Sequence, residues 1–331
     1  MCPTTVSSDF DAGKPPEPEA GRCRATGAAG AVIAMAAAAA YSHRRSQAAQ
    51  WVPPGGRVVS TSSLRVRLVG EAGPPVLLLH GLVASNIFWG GAYDRLGGEG
   101  RLVVPDLVGF GGSPRPMSGY GPDDHGDAVL ACLDELGVDD PVVVGAHSLG
   151  ALVALRVAAT HPDRIAAIVA FGPPVYPDSR TARAHVAATS PMGRLFVLPG
   201  RVAEDACRWV CDHRSLAARL SVLTHPGLPE AIAADVVQHT WTSYAQTLEL
   251  VILAAGAARW LERVRCPVHL VAGDRDPVID QAYLRRLAAQ YDNLQLSVWA
   301  GRHDLPIVQA AHCASTIAAM GAQRPAAAAL Q

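Results

Sequence analysis

Lysine is almost missing from this sequence: Lys14 is the single one, and every other basic residue is arginine. The 28 basic residues stand against 29 acidic ones, a net charge of −1, and the arginines are scattered. That excludes the basic stripe by which proteins hold nucleic acid. A disulfide framework is lacking too. The seven cysteines (Cys2, Cys23, Cys132, Cys207, Cys211, Cys266 and Cys313) are odd in number and irregularly spaced. Cys207 and Cys211 stand one helical turn apart, with no second pair or histidine cluster at ligand spacing, so no metal centre is expected. They read as two side chains packing on one helix face, where a disulfide would strain the helix. No internal repeat is present.

What the chain does have is length and apolar content. Its 331 residues suffice for one large α/β domain with an insertion or for two ordinary domains, and half of them are hydrophobic, enough for a sizeable core. Residues 1–21 are polar, acidic and proline-rich, and read as disordered. Residues 25–41 are uncharged and about as long as a short membrane span, but mostly alanine. Three readings fit: a signal peptide cleaved near Ala38-Ala39-Ala40, a weak membrane anchor, or an alanine-rich helix with no membrane role. Basic residues flank both ends, so charge assigns no orientation. Localisation follows whichever reading holds.

Folded structure is expected from about Trp51. Strand-like runs occur at Arg57–Thr61, Leu64–Val69, Val76–Leu79, Leu102–Val104, Pro141–Val144, Ile165–Phe171, Val268–Ala272 and Leu294–Trp299. Helical spacing covers Asp123–Leu136, where Ala128, Val129, Cys132, Leu133 and Leu136 share a face and Gly137 is a stop, and then Leu149–Thr160. Short apolar strands alternating with helices predict a mostly parallel, doubly wound sheet. Between Pro173 and Leu261 the alternation stops. Helical stretches at Val202–Asp212, Ser215–Leu223, Glu230–Thr240 and Tyr244–Trp260, punctuated by Pro191, Pro199, Pro226 and Pro229, predict a helical insertion. The expected division is a core of 51–172 and 262–331, a cap of 173–261, and a separate segment of 1–50.

The sharpest motif is the strand Val142-Val143-Val144 running through Gly145-Ala146-His147-Ser148-Leu149-Gly150 into a helix. A serine on such a turn is held clear of the sheet, and the residues two before and two after it must be small. Ala146 and Gly150 are. Taken singly, Ser148 also suits a helix N-cap. A serine hydroxyl needs a base, and the base an orienting acid. An acid follows the strand Val268–Ala272 in Gly273-Asp274-Arg275-Asp276, and a histidine follows Leu294–Trp299 in Gly301-Arg302-His303. In an open α/β sheet such strand ends gather at one edge, where ligands bind. A tetrahedral intermediate needs two N–H donors. Leu149, at the helix start, supplies one, and Leu82, after His80-Gly81, is best placed for the other. His80 itself reads as structural, Asp106 as fixing its own glycine-rich loop, and Asp304 as a surface or helix-start residue.

Over roughly residues 55 to 320 the chain resembles the α/β-hydrolase superfamily, with a helical cap. His80-Gly81, Pro105-Asp106-Leu107-Val108-Gly109-Phe110-Gly111-Gly112-Ser113, Ala146-His147-Ser148-Leu149-Gly150, Gly273-Asp274-Arg275-Asp276 and Gly301-Arg302-His303 carry the resemblance. It implies Ser148 as nucleophile, His303 as base, and Asp276 rather than Asp274 as the acid. It also implies no cofactor and no metal. Ala146 departs from the usual glycine but is small. His147 beside the elbow is expected near the substrate, as are Trp209, Trp241, Tyr244 and Leu248 of the cap, with Phe196, His239 and Val251. Packing within the cap would use the same cap residues.

A serine nucleophile, where an aspartate would point to dehalogenation or epoxide opening, predicts attack on a carbonyl of a small molecule. Hydrolysis of a small or acyl carboxylic ester is the leading reading. Cleavage of a carbon–carbon bond in a diketone, acyl transfer to an alcohol, and a non-catalytic binding protein on the same fold are the alternatives.

Overall fold

A computed structural model describes residues 50–98, 100–189, 201–225 and 227–323, with Ser42, Ser46 and Arg194. The chain divides into the units Met1–His43 and Arg44–Gln331, and the fold below is that of the second. The segment 25–41, Phe196, Pro191, Pro199 and Pro226 lie outside the described residues. Among the described residues no helix is long and apolar enough to cross a membrane.

Eight strands form one sheet: β1 (Arg57–Ser60), β2 (Arg65–Val69), β3 (Pro75–Leu79), β4 (Arg101–Pro105), β5 (Val142–His147), β6 (Ile165–Phe171), β7 (Val268–Gly273) and β8 (Leu294–Trp299). Their spatial order is β1-β2-β4-β3-β5-β6-β7-β8. β1 and β2 are antiparallel at one edge, and from β4 to β8 every pairing is parallel. The register sets Val76 beside Val143 and Leu79 beside Ala146. All six residues of β5 are buried, as a strand covered by helices on both faces requires. The reversal of strand order around β3 and β5 is the point at which such sheets open a crevice.

Helix α1 (Pro122–Glu135) buries Val129, Leu130, Cys132 and Leu133. Gly137 ends it in the left-handed region, at φ +64°, where a side chain would be strained. Helix α2 (Leu149–Thr160) is buried nearly all round, lying on the sheet beneath α1. Between β6 and β7 the described residues form helices and no strand: α3 (Ser179–Thr189), α4 (Arg201–Asp212), α5 (Arg214–Thr224), α6 (Glu230–Asp235), α7 (Trp241–Thr247) and α8 (Ala257–Leu261). Then α9 (Gln281–Gln290), α10 (Leu305–Val308) and α11 (Ala310–Ala322) complete the fold.

Two expectations are corrected here. The helix from Glu230 stops at Asp235 rather than Thr240. The stretch from Tyr244 to Trp260 is not one helix: α7 widens into a π turn at Leu248–Leu253 and breaks at Ala255, which has φ +53°. Leu248, Val251, Ile252 and Leu253 are all buried. Leu250, the fifth apolar residue of this turn, is 49% exposed, so the wider turn buries four of its five apolar side chains.

His125 of α1 is fully buried, with its ring stacked 6.4 Å from Phe110 and Nε2 3.1 Å from Thr247 Oγ1. Burial pushes its pKa down to about 3 from the ordinary 6.5, and that of His239 to about 4. Between those values the unfolded chain binds more protons than the folded one, so stability falls as pH drops below about 6.5. Each pH unit within that window costs about 1.4 kcal/mol per histidine held neutral. A melting temperature lower at about pH 5 than at about pH 7 is therefore expected, with a flatter pH dependence in His125→Gln. Equal slopes for the two chains in pH-resolved calorimetry would contradict this.

Candidate active site

Strand β5 ends at His147 and α2 begins at Leu149. Ser148 between them has φ +50° and ψ −115°, a backbone conformation that L-residues seldom adopt. The surroundings impose it. A Cβ on Gly150 would lie 2.4 Å from the Leu79 carbonyl oxygen, so helix and β3 meet with no side chain between them. Ser148 N donates to Phe171 O at 3.0 Å, tying the turn to β6. The hydroxyl makes no hydrogen bond among the described residues and faces a cavity.

The candidate base and acid arrive from the ends of β8 and β7. His303 Nδ1 lies 2.7 Å from Asp276 Oδ2, and Asp276 Oδ1 accepts Val278 N at 2.9 Å. A carboxylate only accepts, so Nδ1 carries the proton and Nε2 is left with its lone pair. Ser148 and His303 line the same cavity. Asp274 is elsewhere: it is exposed and its Oδ1 accepts Gly301 N at 2.8 Å, the bond that chiefly holds its carboxyl below the usual range. Asp304 precedes α10, its carbonyl accepting Ile307 N.

Polar side chains lock the loops around this group. His80 Nδ1 donates to Gly81 O at 2.8 Å while Nε2 accepts Leu107 N at 2.9 Å, which defines a neutral ring, and burial lowers its pKa. His80 thus joins the loops after β3 and β4 and has no free base nitrogen. Asp106 accepts Asn86 N at 2.6 Å, Asn86 Nδ2 at 2.7 Å and Gly112 N at 2.7 Å. The loop it supports brings Gly81 against the elbow, where a Cβ would sit 3.3 Å from Ser148 Cβ. Val83, two residues on, is a β-branched residue at φ +57°. The N–H groups of Leu82 and Leu149 have no acceptor among the described residues.

His147 does more than line the cavity. It stacks on Phe88 at 4.7 Å, and Nε2 donates to His303 O at 2.9 Å. Burial holds it neutral, well below the usual histidine range. It therefore links the elbow directly to the backbone of the loop that carries His303, a role the motif does not announce. Gly172, at φ +56°, is a second residue that sequence reasoning misses: a Cβ there would come 2.9 Å from His303 Nδ1 and 3.2 Å from Asp276 Oδ2. The run Phe171-Gly172-Pro173 reads as an ordinary turn, and no local signal marks it.

The cavity measures about 620 Å³ and lies between the strand ends and the helices that follow β6. His147, Trp209, Tyr244, Leu248 and His239 line it. Trp241 and Val251 do not: both pack with the hydrophobic core. Cys207 lines the cavity, 3.6 Å from His239 Nε2, and Cys211 Sγ donates to His239 O at 3.4 Å, so the two cysteines share one helix face. No Asp, Glu, Lys or Arg is among the described lining residues. No cluster able to hold a metal ion occurs among the described residues.

The family model of the alpha/beta hydrolase fold matches residues 74–310, and the chain belongs to that family. It is 26% identical over 266 residues to a probable lysophospholipase BODYGUARD 4 of Arabidopsis thaliana, covering 75% of this chain and 64% of that one. It is 38% identical over 121 residues to the lipase LipV of Mycobacterium tuberculosis, covering 36% of this chain and 45% of the lipase. The chain thus spans less than two thirds of the length of either relative. The crystal structure of E-2-(acetamidomethylene)succinate hydrolase superposes with a TM-score of 0.61 at 22% identity, over 80% of this chain and 99% of that one, a likeness of fold.

Gly172→Ala is expected to keep the fold and lower turnover roughly a hundredfold, since an ångström of displacement in a reacting group costs about that much. Circular dichroism and steady-state kinetics check it. A variant as active as the parent would show that His303 and Asp276 do not depend on this close approach.

Proposed function

We propose that the chain is a carboxylic ester hydrolase that works through Ser148, His303 and Asp276. The observation that carries this reading is the pair of buried Asp276 and half-buried His303 at 2.7 Å, at the edge of the cavity into which the strained Ser148 projects. Ser148 Oγ attacks the ester carbonyl while His303 Nε2 takes its proton, and Asp276 holds the imidazolium. The catalytic hydrogen bond between serine and base tightens when substrate fills the site. Developing negative charge on the carbonyl oxygen is met by the N–H groups of Leu82 and Leu149, whose directions are set beforehand by the folded loops. His303 then protonates the departing alcohol, and water, activated in the same way, releases the acid.

The uncharged, largely apolar lining supports a neutral substrate with an apolar acyl or aromatic portion. A carboxylate on the substrate would find no Lys or Arg among the described lining residues, and burying it unpaired costs several kcal/mol. A serine at the elbow also separates this chain from reactions that pass through an aspartyl ester.

A panel of p-nitrophenyl esters of graded acyl length, run beside a vinylogous diketone, tests the reading. Ester turnover is expected, with the diketone untouched. Asp276→Asn should lower kcat roughly 10⁴-fold, while Asp274→Asn stays within a few fold of the parent. Turnover of the diketone alone would assign carbon–carbon cleavage. Loss of activity in Asp274→Asn with Asp276→Asn unaffected would overturn the choice of acid.

A further inference from the structure

Among the described residues lining the cavity, four are exposed: Trp209, Leu220, Thr224 and His225. All four belong to α4, α5 or the residue just after α5, and the remaining lining residues are buried or half-buried. Among the described lining residues, the solvent-exposed part of the cavity wall is therefore confined to this pair of helices. The same helices carry exposed apolar side chains. Val202 is 67% exposed and Trp209 44% on α4, seven residues apart. Leu216, Leu220 and Leu223 are 48%, 44% and 70% exposed on α5, at spacings of four and three. Those spacings put each set on one helix face. Single exposed leucines are ordinary, but a cluster around an opening marks an interaction surface.

We propose that α4 and α5 dock on the surface of a lipid membrane, from which an acyl ester passes directly into the cavity. The proposal rests on the ester-hydrolase reading for its substrate, and the docking face stands on exposure alone. A protein partner or a second copy covering this face would also shut the opening that leads to Ser148, whereas a lipid surface covers it and supplies substrate at once. Trp209, half apolar and half polar, is the residue type that settles at the membrane–water boundary. Charge over the two helices is nearly balanced. Arg201, Arg208, Arg214 and Arg219 stand against Glu204, Asp205 and Asp212, and Arg214 is occupied by the carbonyls of Val237 and His239. That favours a zwitterionic surface over a strongly anionic one.

The test uses the full chain and sedimentation with phosphatidylcholine vesicles. The parent is expected to partition onto them. A double variant, Leu216→Ser with Leu223→Ser, touches neither the cavity lining nor the catalytic group. Its partitioning should fall roughly tenfold or more, as loss of two buried leucines implies. Val202→Ser, on the other helix, should lower partitioning by itself. Hydrolysis of monomeric p-nitrophenyl acetate and labelling by a fluorophosphonate should stay unchanged in both variants, which also verifies their folding. Three results would overturn the proposal: a parent chain that stays in solution, a double variant that binds as well as the parent, and a solution dimer that the double variant breaks. Vesicle binding lost in the variants of a chain that never reacts with the fluorophosphonate would leave the docking face standing and remove the esterase reading.

Discussion

The close approach of helix α2 to strand β3 is the constraint on which the site depends. With Gly150 against the Leu79 carbonyl, the chain can leave β5 and enter the helix only through a sharp turn, and Ser148 takes the positive-φ conformation that the turn demands. Strain of this kind costs about 1–3 kcal/mol and persists only where the surroundings over-determine it. Here the surroundings are a buried sheet, a helix buried nearly all round, and a hydrogen bond from Ser148 N to β6. The reward is positional. A hydroxyl that would otherwise cap a helix projects into the cavity, next to the start of α2, where backbone N–H groups have no partner within the helix.

Around that point the polar groups divide into two kinds. His80, Asp106 and His147 are saturated or held by backbone, and each joins loops that are distant in the chain: β3 to β4, the Asn86 turn to the glycine-rich loop, and the elbow to His303. Burial favours the neutral form of both histidines, and the hydrogen bonds of each are spent on the backbone of neighbouring loops. Asp276 and His303 are the other kind, a directed pair in which the acid sets the tautomer and leaves Nε2 for the substrate side. Three imidazoles thus share a small volume without ambiguity of role, because hydrogen-bond partners differ at each ring.

Much of this is legible in the residues alone. Short apolar runs mark the eight strands, and the elbow, the acid loop and His303 stand just past strand ends, where sheet topology must bring them together. What escapes depends on contacts between remote parts of the chain. The bond from His147 to His303 O spans 156 residues, and nothing local in either segment predicts it. Gly172 reads as a turn, and its importance lies in what approaches it. Trp241 has the character of a pocket residue because aromatic residues in a cap often line one, but packing against the core claims it instead. Residue types from Tyr244 onward favour a continuous helix, whereas the folded chain widens into a π turn at Leu248–Leu253 and breaks at Ala255. Asp274 and Asp276 are separated only by the fold: the exposed acid accepts a backbone N–H from Gly301 in the loop after β8, and the buried acid pairs with the His303 ring.

The central claim is that Ser148 attacks a carbonyl and carries the acyl group. Acid-quenching the protein during turnover of a p-nitrophenyl ester, followed by digestion and mass spectrometry, observes that intermediate directly. The account predicts the mass of the acyl group on the peptide containing Ser148, absent from Ser148→Ala. An acyl group on another residue, or steady turnover retained by Ser148→Ala, would contradict it.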